Sequence, residues 1–301
     1  MVLEESSKID SLPGVEEAGK WVYDPALYCV ARFLYRPLND LWFPHLEVTS
    51  SYGTRQAVLI FGQMSYKLSE ERFCAHCFSM LEQESYYPYC AACVQELELF
   101  FLRCYQEGIG LGEGDCDYEA PRCGSKFCGK YCKSGFTVYI AVGGKGCFKV
   151  GVTKKVNVFY KLLEEGVFGG LNVRLTEDSL GDALELKAFL KKELGAKDYL
   201  TMDEKLQIGR SEVDWEGLKD QMEWVTDQLR RERDLVVEAP WDLRSHSFKV
   251  PDIEFIRRTP LELQGELIGF WGRIGFFQDA THRFAFDLKS LVGRILENVV
   301  G

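Results

Sequence analysis

Nine of the eleven cysteines in this 301-residue chain fall between residues 72 and 132, eight of them in two groups of four. The first is Cys74-x2-Cys77, a twelve-residue spacer and Cys90-x2-Cys93, within FCAHCFSMLEQESYYPYCAAC. Each CxxC can set two thiolates on one side of a tight knuckle, and two knuckles supply the tetrahedral four-sulfur shell that zinc favours. The second group, Cys116, Cys123, Cys128 and Cys132, has intervening runs of six, four and three residues. Zinc is expected there too, with an iron–sulfur cluster as the alternative. A redox dithiol would need one CxxC and leave its twin unexplained. His76 sits inside the first knuckle but is superfluous to a filled shell. Cys29, Cys104 and Cys147 have no partner pattern and read as small apolar core residues. Two closed shells imply two structural zinc ions and place any chemistry elsewhere, because they leave no coordination position for water.

The remaining composition is that of a globular chain of several modules, 46% hydrophobic and 27% charged, with no apolar run near the roughly 18 residues needed to span a bilayer. The first twenty residues carry Glu4, Glu5, Glu16 and Glu17 where an export signal would need a basic start and an apolar stretch. A cytoplasmic location is therefore expected, and with it thiols that bind metal rather than pair as disulfides. The net charge of −10 opposes coating of nucleic acid by bulk electrostatics. The charge is segregated, however. Between residues 133 and 175, Lys133, Lys145, Lys149, Lys154, Lys155, Lys161 and Arg174 face only Glu164 and Glu165. From Glu177 to Asp234, sixteen acidic residues outnumber ten basic ones, a surface suited to a basic protein partner.

Punctuation and periodicity divide the chain into a polar tail (1–20), an N-terminal β module (21–71), the two-zinc cysteine region (72–135), a sheet-and-helix domain (136–235) and a C-terminal β unit (236–301), an α+β architecture. ALYCVARFLYRPL, HLEVTSSY and RQAVLIFGQMSYKL are rich in β-branched and aromatic residues and predict short strands. FTVYIAVGGKGCFKVGVT predicts two strands around Gly143-Gly144, and GDALELKAFLKKEL predicts a helix. Leu218, Met222, Val225 and Leu229 recur at four, three and four residues, the apolar stripe of an amphipathic helix. ELQGELIGFWGRIGFFQDATHRFAFDL predicts the last β unit.

Thr137-Val138-Tyr139, followed by Lys149-Val150-Gly151-Val152-Thr153 and then Lys161-Leu162-Leu163-Glu164-Glu165-Gly166, resembles the GIY-YIG nuclease fold. The order of knuckle, second cysteine cluster, VYIA, KVGVT and GELIGFWGR is similar to the family known as domain of unknown function 2797, over most of the chain from about residue 26. The nuclease resemblance implies a strand tyrosine that activates water, a helix arginine on the phosphate and a glutamate holding a divalent metal. These roles would pass to Tyr139, to Lys161 in place of the arginine and to Glu185, with Lys149 where the second motif has tyrosine.

Lysine lacks the bidentate fork of arginine, and loss of the second tyrosine removes a group that orders water. The expected function is accordingly binding of nucleic acid, RNA foremost, by Lys145, Lys149, Lys154, Lys155 and Lys161 beside the zinc knuckles. The alternatives are a Mg²⁺- or Mn²⁺-dependent phosphodiesterase using Tyr139, Lys149, Lys161 and Glu185, and a protein–protein adaptor acting through the acidic half.

Overall fold

The computed structural model describes residues 27–38, 41–60, 63–81, 88–96, 135–144, 146–174, 179–212, 214–232, 235–243, 250–252, 254–257 and 262–298. The second cysteine group, Cys104, Lys133, Lys145 and the predicted tail lie outside them. In chain order the elements are strands β1 (Tyr28–Leu38), β2 (Leu41–Ser50), β3 (Arg55–Leu59) and β4 (Gln63–Leu68), then a short helix α1 (Ala91–Glu96) in the knuckle region. Next come β5 (Phe136–Val142), β6 (Phe148–Lys154), α2 (Val158–Glu165), β7 (Gly169–Arg174), α3 (Leu180–Leu194), α4 (Met202–Arg210) and α5 (Trp215–Glu232). The chain closes with β8 (Val236–Val237), β9 (Trp241–Asp242), β10 (Ile256–Arg257), β11 (Glu262–Trp271), β12 (Ile274–Gln278), β13 (Arg283–Asp287) and β14 (Ile295–Asn298).

The α+β class holds, with one change in how its parts join. The N-terminal and C-terminal strands, expected as two units, form a single nine-stranded sheet in the order β10-β13-β12-β11-β4-β14-β1-β2-β3. β14 is inserted between β1 and β4, pairing Cys29 with Ile295 and Leu68 with Leu296. Pairing across so long a stretch of sequence leaves no local signal. β5, β6, β7 and β8 form a second sheet in the order β6-β5-β7-β8, with β9 also on β7.

β5 is buried along its whole length and β6 as far as Thr153, because helices cover both faces. Leu180, Ala183, Leu186 and Leu190 of α3 are buried on one side. Ser179 caps this helix by accepting from the Asp182 amide at 3.1 Å, and Gly195 ends it in the left-handed conformation at φ 59°. On the opposite side lies α2, which Gly170 admits: a Cβ there would run into Leu162. Helix α2 is also the seam between the sheets. Trp42 of β2 packs on Phe159 and Tyr160 at 5.1 and 5.2 Å between ring centroids. The Tyr35 hydroxyl donates to the Gly272 carbonyl, and Phe168 packs on Trp271 at 4.9 Å. The predicted stripe on α5 is buried throughout, at 2, 1, 0 and 2% exposure for Leu218, Met222, Val225 and Leu229. Among the described residues no helix is long and apolar enough to cross a membrane.

Candidate functional site

The first cysteine group assembles as its spacing requires. One sulfur each from Cys74, Cys77, Cys90 and Cys93 lies within 4.8 Å of every other, with Cys77 and Cys90 at 3.6 Å. Sulfurs about 2.3 Å from a tetrahedral ion would stand some 3.8 Å apart, so the shell fits one metal ion. Phe78 makes the knuckle turn at φ 59°, uncommon for a residue with a side chain, and its amide donates to the Cys74 carbonyl at 2.9 Å. The loop is fastened to the nine-stranded sheet: the Phe73 amide donates to Gly293 at 2.6 Å, and Cys29 of β1, fully buried, donates its thiol to the Phe73 carbonyl at 3.4 Å. The Ser79 hydroxyl beside Cys77 holds that thiol down at about 6, whereas burial pushes Cys74 and Cys93 up. A coordinated cation would override burial and keep all four as thiolates. His76 is exposed. Cys29 joins a small core cluster, and Cys147 packs against the main core.

The second site lies under α2. Tyr139 of β5 faces Gly151 of β6, and Lys149, two residues before Gly151, emerges on the same face. Gly151 has to be glycine, since a Cβ there would overlap the tyrosine ring. The Lys149 ammonium donates both to the Tyr139 hydroxyl and to Glu165, the last residue of α2. Tyr139 also donates to Glu165 at 3.1 Å, and Lys205 of α4 completes the set at 3.2 Å from the same carboxylate. Exposures are 4% for Tyr139, 6% for Lys149, 9% for Glu165 and 3% for Lys205, so the network is shut off from solvent. Burial alone would raise the Glu165 carboxyl, but Lys149 and Lys205 more than reverse it and hold it at about 2. Burial lowers the Lys149 ammonium to about 8 against the pull of Glu165.

Tyr139 and Lys149 are therefore brought together, but in a closed internal cluster. Lys149 is corrected as a nucleic-acid contact, because it is buried and engaged by Glu165. Lys161 points elsewhere, pairing with Glu164 at 2.8 Å. Glu185 is exposed on α3, the helix on the other side of the sheet, and does not meet Tyr139. The carboxylate that does is Glu165, which lies within the Lys161–Gly166 motif but has no role assigned by the resemblance. Lys205 was missed along with its helix, although Thr201-Met202-Asp203-Glu204 spells the capping box that starts it. The Thr201 hydroxyl accepts from the Glu204 amide at 3.2 Å, and the Thr201 amide donates to the Glu204 carboxylate at 2.8 Å.

Of the other predicted basic contacts, Lys154 lies over the Phe136 ring at 3.8 Å, and Lys155 is exposed and pairs with Glu238 at 2.8 Å. Arg174 approaches the same glutamate at 3.9 Å. No curated protein and no solved structure matches the chain. A family model described as "Protein of unknown function (DUF2797)" matches residues 62–282, a span that takes in the cysteine knuckles, both strands of the Tyr139–Lys149 pair, Glu165 and Lys205, and the chain belongs to that family.

Proposed function

We propose that this chain is a zinc-stabilised nucleic-acid-binding protein, RNA its target, built around a GIY-YIG-like domain that no longer cuts. The observation that carries this reading is the closure of Lys149 onto Tyr139 and Glu165. A phenol that is to activate water, and a cation that is to meet a phosphodiester, must reach the substrate. Here both are buried and satisfy one another, and the carboxylate beside them is neutralised by two ammoniums instead of being open to Mg²⁺ or Mn²⁺. The β5-β6 pair followed by α2, with β7 on the far side of β5, supports the GIY-YIG-like description. Four clustered thiols, with no oxygen or nitrogen ligand beside them among the described residues, suit zinc.

Binding would fall to the ridge at the end of β6, where Lys155 and Arg174 share one carboxylate, Glu238, and Lys154 lies over the Phe136 ring. Lys133 and Lys145 add charge in the same stretch of sequence. The test is retention of labelled RNA on a filter by the full chain and by the Lys154→Glu/Lys155→Glu variant. The reading expects binding that weakens with salt and is lost in the variant. Unchanged retention would refute the ridge, and cleavage that depends on added Mg²⁺ or Mn²⁺ and vanishes in Tyr139→Phe would refute the loss of hydrolysis.

A further inference from the structure

The junction between the two sheets gathers more positive charge than its own carboxylates balance. Glu165 serves two buried ammoniums, Lys149 and Lys205. Lys205 also donates to the Glu164 carbonyl at 3.2 Å, at the α2 C-terminus, whose partial negative charge suits a cation. On the open side of that helix end stand Lys161, paired with Glu164, and Arg273 of the β11–β12 turn, whose Nη2 pairs with Asp287 at 2.9 Å. Their side chains are 32% and 26% exposed. Lys289 follows two residues after Asp287 and, among the described residues, has no carboxylate within ion-pair distance. Burial and the neighbouring charges of Lys161 and Arg273 push its ammonium down, against the smaller pull of Glu164 and Asp287. Among the described residues, five cations thus surround three carboxylates. Among the described residues, Arg273 Nε and Trp271 Nε1, the latter against Gly166 at the same helix end, are buried donors without an acceptor.

Cations converge against their mutual repulsion where an anion repays it, and unmet buried donors mark the same deficit. We propose that this junction binds a dianionic phosphoryl group, held at its open side by Lys161, Arg273 and Lys289. Two negative charges match the excess. Arginine offers a fork to two phosphate oxygens, and the lysines act as point charges on the third. The buried pair Lys149 and Lys205 adds a fixed positive field from behind. The site is independent of the RNA ridge, since Lys154 and Lys155 take no part in it.

Isothermal titration of the full chain at constant ionic strength, with inorganic phosphate and with adenosine monophosphate as probes, tests the proposal. Saturable one-to-one binding is expected, about tenfold weaker in Lys289→Ala and in Lys161→Ala and retained in Lys161→Arg. Both probes binding alike assigns recognition to the phosphoryl group itself, and the nucleotide alone binding assigns it to a phosphate ester. Absence of saturable binding by either probe overturns the proposal, as does unchanged binding in a Lys161→Ala/Lys289→Ala variant whose circular dichroism is that of the parent. RNA retention by the single variant Lys289→Ala should be normal, which separates failure here from failure of the nucleic-acid reading.

Discussion

The ring of Tyr139 fills the space directly over Gly151, its cross-strand partner. Any side chain at 151 must push the ring aside and pull its hydroxyl off Lys149 and Glu165. Gly151→Ala should destabilise the fold by about 1–3 kcal/mol, the usual cost of overpacking. On a Tyr139→Ala background the same change should be nearly neutral, since the obstruction is gone. Urea unfolding of the four proteins gives the coupling, and additive costs would show that ring and glycine act separately.

Glu165 and Lys149 should not be equivalent under mutation. Losing Glu165 strands two buried ammoniums, whereas losing Lys149 leaves Glu165 still paired with Lys205. Breaking a buried pair costs about 3–5 kcal/mol when a charge is left uncompensated. Glu165→Gln is therefore expected at or above the top of that range and Lys149→Met well below it. Denaturation midpoints at pH 7 decide the order, and equal losses would contradict the two-to-one arrangement.

The same cluster sets an acid limit on stability. The folded Glu165 carboxyl is held at about 2, below its ordinary 4.5. Its contribution is complete above the unfolded value and is lost as pH falls from about 4.5 towards 2, on the order of 3 kcal/mol. Lys149 has the opposite sign: with its folded value lowered to about 8, the unfolded chain holds the extra proton between about 8 and 10.5, and this group alone favours the fold as pH rises through that window. Acid unfolding followed by tryptophan fluorescence should be shallower in Glu165→Gln than in the parent.

Protein purified without added metal should carry zinc, and Cys74→Ser should lower the content by one equivalent per chain. Structural zinc supplies on the order of 10 kcal/mol of apparent binding free energy in small modules. The knuckle holds β1 through Phe73 and Cys29, so chelation should also loosen the first strand. Hydrogen exchange at residues 28–31 before and after chelator reads this directly, and unchanged protection there would separate the metal centre from the sheet.

What could be read from the sequence was what is local. The double CxxC, the β5–β6 hairpin, the α3 helix and the apolar stripe of α5 each depend on spacings of a few residues, and each stands where its pattern put it. The cluster under α2 was half legible: Tyr139 and Lys149 are neighbours because one hairpin sets their register. Glu165, Lys205 and Arg273 arrive from a helix end, a separate helix and the other sheet, and no periodicity links them. Glu185 illustrates the limit of transferring a role by position along the chain. It precedes Leu186, whose side chain enters the core, and one step along a helix turns a residue by about 100°.

Inserting β14 between β1 and β4 also fixes the order in which the molecule can be completed during synthesis. Strand β1 leaves the ribosome long before β14, the strand that fills its open edge. Until Ile295 has emerged, β1 and β4 each expose backbone donors and acceptors that Cys29 and Leu68 later satisfy, and such edges invite pairing with other chains. The β5–β7 sheet, whose partners lie within some forty residues of one another, can form first. The N-terminal strands must wait beside it, and the arrival of β14 decides whether the larger sheet closes at all.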